Sequence, residues 1–314
     1  MVARFETLTR PGPGVDFRKP SKQRQIGIAL GLAGLTLAVI AGVGNFAAAG
    51  NVGDGTTSTA EALRWTFGLS VAGFGTVKLG IAVILVGILV RLWLRVDAVK
   101  ATMPLVKAPG DGTPDPTGTY STPWGEATST TSAPGLLRVQ RMAKTMWFPM
   151  LAMGFMALVV GLVLAVASSG ENNPGSGASL FAWAQGTMFL GEAMLLGGIA
   201  FLLGSILAAI RDGGGQVQES VGVVVKTLDM PRSGKAFVGL MMVGMMLGVA
   251  QFILYIFVAT SASASPGAWF AWLGPLREVS LGVLLASIVL ALYTIGSALG
   301  FQFDRMKQII GTGR

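Results

Sequence analysis

Residues 181–210 read FAWAQGTMFLGEAMLLGGIAFLLGSILAAI, and Glu192 is the only ionisable side chain among them. A helix of about 20 apolar residues is long enough to cross a hydrocarbon core about 30 Å thick. The segment is therefore predicted to be a transmembrane helix that exceeds the minimum length and carries one carboxyl group.

Five further apolar stretches of similar length flank this segment. They are residues 26–49, 68–90, 146–167, 237–260 and 269–300. The first stretch lacks the short apolar core and small-residue cleavage site of a signal peptide, so we expect it to remain as a helix. The predicted fold is all-α, a polytopic membrane bundle of six transmembrane helices.

Composition limits the chemistry of the chain. Only 12% of the residues are charged, whereas soluble domains carry about 25%. The sequence contains neither His nor Cys, the usual ligands of haem, copper, zinc and iron–sulfur clusters and parts of common nucleophilic sites. We therefore predict no catalytic, cofactor-binding or metal-binding residue, no enzymatic activity, and membrane lipid as the bound non-protein component.

Basic residues are distributed unevenly over the connections between the stretches. The opposite side of the predicted membrane holds only Arg64 and Arg277, while the net charge of the chain is +8. By the positive-inside rule, the basic side is cytoplasmic. The sequence thus predicts a bacterial inner-membrane protein with both termini in the cytoplasm. The basic charge follows from this threading and requires no nucleic-acid partner.

The predicted organisation alternates hairpins with basic segments. A basic tail (1–25) precedes the first hairpin (26–95), a linker (96–143) and the second hairpin (144–210). A loop (211–236), the third hairpin (237–300) and a tail (301–314) follow. The linker is rich in Pro, Gly, Ser and Thr, which is typical of a disordered tether. Alternatively it is an arm that docks on a partner through Tyr120 and Trp124.

The three hairpins resemble repeats of one unit. Each odd-numbered stretch has a Gly nine or ten positions after a basic residue, at Gly34, Gly154 and Gly244. Each even-numbered stretch opens with aromatic residues and then reaches a Leu-Gly pair, ending at Gly80, Gly191 or Gly282. Mitochondrial carriers share this length and three hairpins, but their Pro-x-Asp/Glu-x-x-Lys/Arg signature is absent, and we reject that resemblance.

The same pattern affects where the even-numbered spans begin. If they begin near the Leu-Gly pairs, at about residues 77, 191 and 279, the preceding aromatic residues lie in the outer interface, as Trp residues prefer. The competing interpretation is one long tilted helix. We favour the interfacial interpretation.

Lys78 and Glu192 are the only ionisable residues well inside the apolar stretches. Charges in a membrane are functional candidates by default. The interfacial interpretation moves both outward, near Arg277 and Glu278, where Glu192 can pair with Lys78 or Arg277. A structural ion pair is the favoured interpretation, and a transport path that includes Gln185 and Gln251 is the alternative.

Small residues at helix-packing spacing occur in two stretches: Gly27 with Gly31, and Gly244 with Gly248. Such pairs allow two backbones to approach closely, within the bundle or against another subunit. Together with the basic segments, they favour a non-catalytic subunit of a larger bacterial membrane complex, with other membrane subunits or further copies of the chain as partners. A small-solute or ion transporter or channel remains the alternative.

Overall fold

The computed structural model describes residues 22–49, 57–106, 118–130, 137–261 and 266–310. Within these ranges the chain forms six long α-helices and three short β-strands. The helices are α1 (Lys22–Ala49), α2 (Thr57–Val106), α3 (Arg138–Ser169), α4 (Pro174–Ser220), α5 (Arg232–Thr260) and α6 (Pro266–Ile310). The strands are β1 (Gly118–Thr122), β2 (Gly125–Thr130) and β3 (Val225–Leu228).

All six helices are long and apolar enough to cross a membrane, and each contains one of the six predicted stretches. Large apolar side chains cover their outer faces. Leu32, Phe46, Met246 and Val289 are 62%, 84%, 68% and 64% exposed. Apolar surface of this extent is unfavourable against water and favourable against lipid.

Residues 181–210 lie at the centre of the bundle, within α4. In α4, 89% of the most apolar 18-residue window is buried, against 17–33% in the other five helices. This helix packs against α2, α3, α5 and α6, whereas α1 packs against α2. Its apolar residues lie all round the helix because it has neighbours on all sides.

Glycines bring the helices of the first two hairpins into backbone contact. A Cβ added at Gly34 would lie 2.5 Å from the carbonyl oxygen of Gly73, and one at Gly154 would lie 2.9 Å from that of Gly191. In the third hairpin, a Cβ at Gly244 would lie 2.7 Å from the Leu284 side chain. Close approach at glycine is thus a general feature of these pairs.

Of the other glycines predicted to support packing, Gly27 and Gly248 face another helix. A Cβ at Gly27 would lie 2.7 Å from the Gly80 carbonyl oxygen, and one at Gly248 would lie 2.9 Å from the Ala193 Cβ. A Cβ at Gly31 would meet nothing within 4 Å, but the Gly31 backbone nitrogen lies 3.0 Å from the place where a Gly80 Cβ would stand.

The second and third hairpins share a register that the first does not. Gly154 lies opposite Gly191, and Gly244 lies opposite Leu284, near Gly282. In the first hairpin Gly27 lies opposite Gly80, so Gly34 is displaced along α1 by seven residues, about two helical turns. The triple repeat stays a prediction.

The even-numbered helices extend well beyond a membrane's thickness. They contain 50, 47 and 45 residues, which at 1.5 Å per residue gives lengths of about 68–75 Å. Each runs without a break from its aromatic residues through its Leu-Gly pair. The structure therefore has one continuous helix in each case, as the competing interpretation expects. Where the membrane surface crosses these helices is not fixed by their continuity, so the interfacial position of the aromatic residues stays a prediction.

We call the end of the bundle that carries Arg95, Arg141, Arg232 and Lys307 the basic end. Here α2, α4 and α6 continue together around a small core of their own. Gly213 supports this contact, because a Cβ there would lie 2.6 Å from the Val96 side chain.

The three strands form an antiparallel sheet at the basic end, in the order β1-β2-β3. Gln218 of α4 attaches β3 to the bundle. Its side-chain amide accepts a hydrogen bond from the Lys226 backbone nitrogen at 2.8 Å and donates one to the Lys226 carbonyl oxygen at 2.9 Å. The side chain thereby takes the place of a neighbouring strand.

The structure differs from the prediction that residues 96–143 form a linker. α2 continues to Val106, α3 begins at Arg138, and the strands β1 and β2 lie between them. Thr, which is frequent in this segment, and Tyr favour strands. The segment has little apolar surface of its own, and β3 and α6 supply the apolar residues on which it packs. Ala127 packs with Leu228 of β3 and Phe301 of α6.

The helices also extend into the other segments that were predicted to be loops or tails. The loop 211–236 contains the end of α4, the strand β3 and the start of α5, and the tail 301–314 contains α6 up to Ile310. Helices continue past their apolar parts because Val217 and Ile309 keep them packed together. In the tail 1–25, α1 begins at Lys22, and residues 1–21 lie outside the described residues.

Candidate functional site

The most unusual polar contact in the bundle is a buried carboxylate bound by two cations. Glu192 of α4 is 2% exposed. Its Oε1 lies 2.5 Å from Lys78 Nζ, and its Oε2 lies 2.5 Å from Arg277 Nη2. Each of the three hairpins supplies one residue of this cluster. We call Lys78, Glu192 and Arg277 the ionic triad.

Helix packing accounts for the position of the triad. Lys78 and Glu192 each lie within two residues of a Leu-Gly pair, and the glycines of these pairs pack against α1 and α3, on other sides of the two helices. α4 packs between α2 and α6, so Glu192 has a neighbour on each side. The two alternative partners expected for Glu192 are therefore both in contact with it.

Both carboxylate oxygens of Glu192 accept charge-assisted hydrogen bonds. Such bonds are roughly twice as strong as neutral ones. Because each oxygen accepts from a different helix, this carboxylate connects three helices. Two cations against one carboxylate leave one formal positive charge on the triad.

Aromatic rings form a second layer beside the triad, a feature that the sequence interpretation did not identify. The Arg277 guanidinium lies 5.7 Å from the centroid of the Phe67 ring. Phe67 in turn packs edge-to-face on Phe181, with centroids 5.6 Å apart, and Arg64 lies 5.9 Å from the Phe181 centroid. The aromatic residues before the Leu-Gly pairs are the sequence signal for this layer, and their predicted place in the outer interface stays a prediction.

The remaining polar residues of the predicted site do not join the triad through any hydrogen bond in the described structure. Glu278 is exposed, and Gln185 is half-buried. Gln251 is fully buried and donates a hydrogen bond from Nε2 to the Leu273 carbonyl oxygen at 2.7 Å, which links α5 to α6. Asn45, which is not part of the predicted site, accepts a hydrogen bond from Thr66 Oγ1 that links α1 to α2.

Tyr120 and Trp124, predicted as anchors for a partner, contact the chain's own helices. Trp124 Nε1 donates a hydrogen bond to Asp304 Oδ2 at 2.7 Å, and its ring covers Gly300 so closely that a Cβ there would lie 2.6 Å away. Tyr120 packs on the cluster that contains Phe301. The hairpin of β1 and β2 therefore docks on α6 of the same chain.

The described residues form six helices that are long and apolar enough to span a membrane, with apolar outer faces. These features support a helical multi-pass membrane protein as the class. Comparisons with protein-family models, with curated proteins and with solved structures found no match.

Proposed function

We propose that the protein is a non-catalytic integral membrane subunit that scaffolds or stabilises a larger bacterial membrane complex. The supporting observation is the ionic triad. Its carboxylate binds cations from both neighbouring hairpins, so the most strongly polar group of the bundle is engaged in joining helices. We infer that the paired charge favours this one arrangement of the hairpins, because another arrangement would leave a buried charge without its partner.

The sheet at the basic end supports the same proposal. It is attached to α4 through Gln218 and to α6 through Trp124. β1 forms one edge of the sheet and pairs with β2 on its other side. An exposed strand edge is a common site for pairing with another chain, and here it is held at a fixed position on the bundle.

The proposal is tested by identifying the proteins that remain bound to the chain after extraction from the membrane. The tagged chain is extracted in a mild detergent and examined by native electrophoresis and mass spectrometry, with an unrelated tagged multi-pass protein as control. We expect migration above the mass of the chain, with other membrane proteins at fixed stoichiometry. Migration only as the 32.5 kDa chain or its homo-oligomer contradicts the proposal.

A matched pair of variants can locate the contact. Ser121 lies exposed on β1, and Ser176 lies exposed near the start of α4 at the opposite end of the bundle. If the partner binds the sheet, Ser121→Arg should release it and Ser176→Arg should not.

The proposed orientation places the basic end in the cytoplasm of a bacterial cell. Single cysteines introduced into this Cys-free chain at Ser176 and Ser121 should be labelled by a membrane-impermeant maleimide on opposite sides. In intact spheroplasts we expect labelling of the Ser176→Cys variant alone, and in inverted vesicles labelling of the Ser121→Cys variant alone. The reverse pattern would show that the chain is threaded the other way.

A transporter or channel for a small solute or ion is the second candidate. The observation that favours it is the formal positive charge left on the triad, combined with Arg277 Nε, which is buried and has no hydrogen-bond partner among the described residues. A cation with a donor to spare attracts an anion. Anion flux into proteoliposomes that is lost in Arg277→Gln would favour this candidate over the subunit.

A further inference from the structure

An apolar cleft opens between α3 and α5 at the basic end of the bundle. Both helices pack on α4 but hardly on each other, so α4 forms the floor of a cavity of about 120 Å³. Ala200, Gly204 and Leu207 contribute to the floor, and Phe237, Val238 and Met241 form the α5 wall.

The length of the cleft matches one leaflet of a bilayer. Along α4 it runs from Ala200 to Arg211, which is about 16 Å at 1.5 Å per residue. Half of a hydrocarbon core about 30 Å thick is about 15 Å. An acyl chain entering from the leaflet at the basic end would therefore lie along the apolar part, one side of it in the cavity and the other against lipid.

The polar residues of the cleft gather at its mouth. Arg211 Nη1 donates a hydrogen bond to Gln140 Oε1 at 3.4 Å, while its Nε is buried and has no hydrogen-bond partner in the part of the chain that the structure describes. Asp229 also lines the mouth. Its Oδ2 accepts a hydrogen bond from Thr128 Oγ1 at 2.8 Å, and its negative charge acts on Arg211. Arg211 thus retains one unpaired donor for an anion, beside one carboxylate.

Charge around the mouth favours the same kind of ligand. Arg138 and Arg141 adjoin the α3 residues that line the cleft, and Arg232 and Lys235 adjoin those of α5. The nearby carboxylate Asp212 is 3.8 Å from Lys144. Basic side chains clustered next to a membrane helix attract anionic headgroups.

We propose that this cleft binds one acyl chain of an anionic phospholipid, with the phosphate of the headgroup bound by Arg211. The apolar walls accept the chain, and the free donor of Arg211 at the mouth selects the charge. The proposal is independent of whether the protein is a complex subunit or a transporter.

The test measures lipid retention by the full chain in detergent, by native mass spectrometry during titration with phosphatidylglycerol or with phosphatidylcholine of the same acyl chains. We expect one phosphatidylglycerol per chain, bound about tenfold more tightly than phosphatidylcholine. Arg211→Gln should remove this preference. Arg95→Gln, the same change at an exposed site on α2, should keep it.

A second pair of variants tests the apolar part of the cleft. Val238→Phe fills it, whereas Val243→Phe adds the same bulk on α5 at a residue that is 48% exposed and does not line it. Only Val238→Phe should weaken the binding of both lipids to the chain. Equal binding of the two lipids by the unmodified chain, or no effect of Val238→Phe, would overturn the proposal. So would an unmodified chain that is dimeric in detergent and becomes monomeric on Val238→Phe. The last result would assign the cleft to a second copy of the chain.

Fluorescence quenching keeps the proposal testable if Val238→Phe does not fold. Bimane is attached to Val238→Cys in the apolar part of the cleft, or to Val160→Cys on the exposed outer face of α3. Phosphatidylglycerol with brominated chains should quench the label at 238 more strongly than brominated phosphatidylcholine, and both lipids should quench the label at 160 equally. Equal quenching by both lipids at both positions contradicts the proposal.

Discussion

Replacing Glu192 by Gln should lower the free energy of unfolding by about 3–5 kcal/mol, the usual cost of removing one partner from a buried ion pair. The substitution keeps the shape of the side chain but leaves Lys78 and Arg277 facing each other without a counter-charge. Unfolding by SDS in mixed micelles measures the change.

The neighbouring carboxylate supplies the matched control for this experiment. Glu278 is exposed, so Glu278→Gln removes the same charge next to the triad without uncovering a buried group. We expect a change within about 0.5 kcal/mol, as for most surface substitutions. Equal losses from Glu192→Gln and Glu278→Gln would mean that the burial of Glu192 has no energetic consequence.

The double-mutant cycle of Glu192→Gln with Lys78→Met separates pairing from a loss of each residue by itself. Lys78→Met alone should cost less than Glu192→Gln, about 1.5–3 kcal/mol, because Arg277 still binds the carboxylate. The double variant should be milder than the sum, with a coupling of about 0.5–3 kcal/mol. Additive losses would show that the two side chains are not coupled.

A triple replacement distinguishes a structural triad from a transport site. Glu192→Leu with Lys78→Met and Arg277→Met removes all three charges, and well-packed apolar residues often match or exceed the stability of a buried ion cluster. If the triad only joins helices, the free energy of unfolding should return close to that of the unmodified chain. Any partner subunits should again co-purify with the variant. Recovered folding with a lost transport activity would instead support the second candidate function.

The helices could be predicted from the sequence because their signal is local. Six stretches of sufficient apolar length lie along the chain, and the six helices contain them. The scarcity of charge also limited which residues could pair with Glu192. Which of Lys78 and Arg277 would contact it depends on the rotation and depth of α2 and α6 relative to α4, and one sequence does not contain these quantities.

The sheet was missed because its stability comes from distant residues. The segment 118–130 has too few apolar residues to form a core alone, and it folds against Leu228 and Phe301. Gln218 on α4 then supplies hydrogen bonds to β3. Composition averaged over a window indicates disorder for such a segment, since the window does not include the surface on which it packs.

Gly191→Ala should destabilise the protein by about 1–3 kcal/mol, the usual cost of overpacking a close contact. A Cβ at this position would lie 2.8 Å from the Gly154 carbonyl oxygen and 3.0 Å from the Leu158 backbone nitrogen. Both obstacles are backbone atoms, so no side-chain rotation relieves them. α3 and α4 must separate, and the loss appears as a lower unfolding midpoint in SDS titration.

Gly282 provides the control, because it occupies the same place in the predicted repeat. A Cβ at Gly282 would meet nothing within 4 Å, and Ala is favoured over Gly in a helix by roughly 0.5–1 kcal/mol. Gly282→Ala should therefore be neutral or stabilising. Gly244→Ala should fall between the two, since its Cβ would meet the Leu284 side chain, which can rotate. Equal effects at Gly191 and Gly282 would mean that the two hairpins pack alike, and that the backbone contact between α3 and α4 is not specific to the second hairpin.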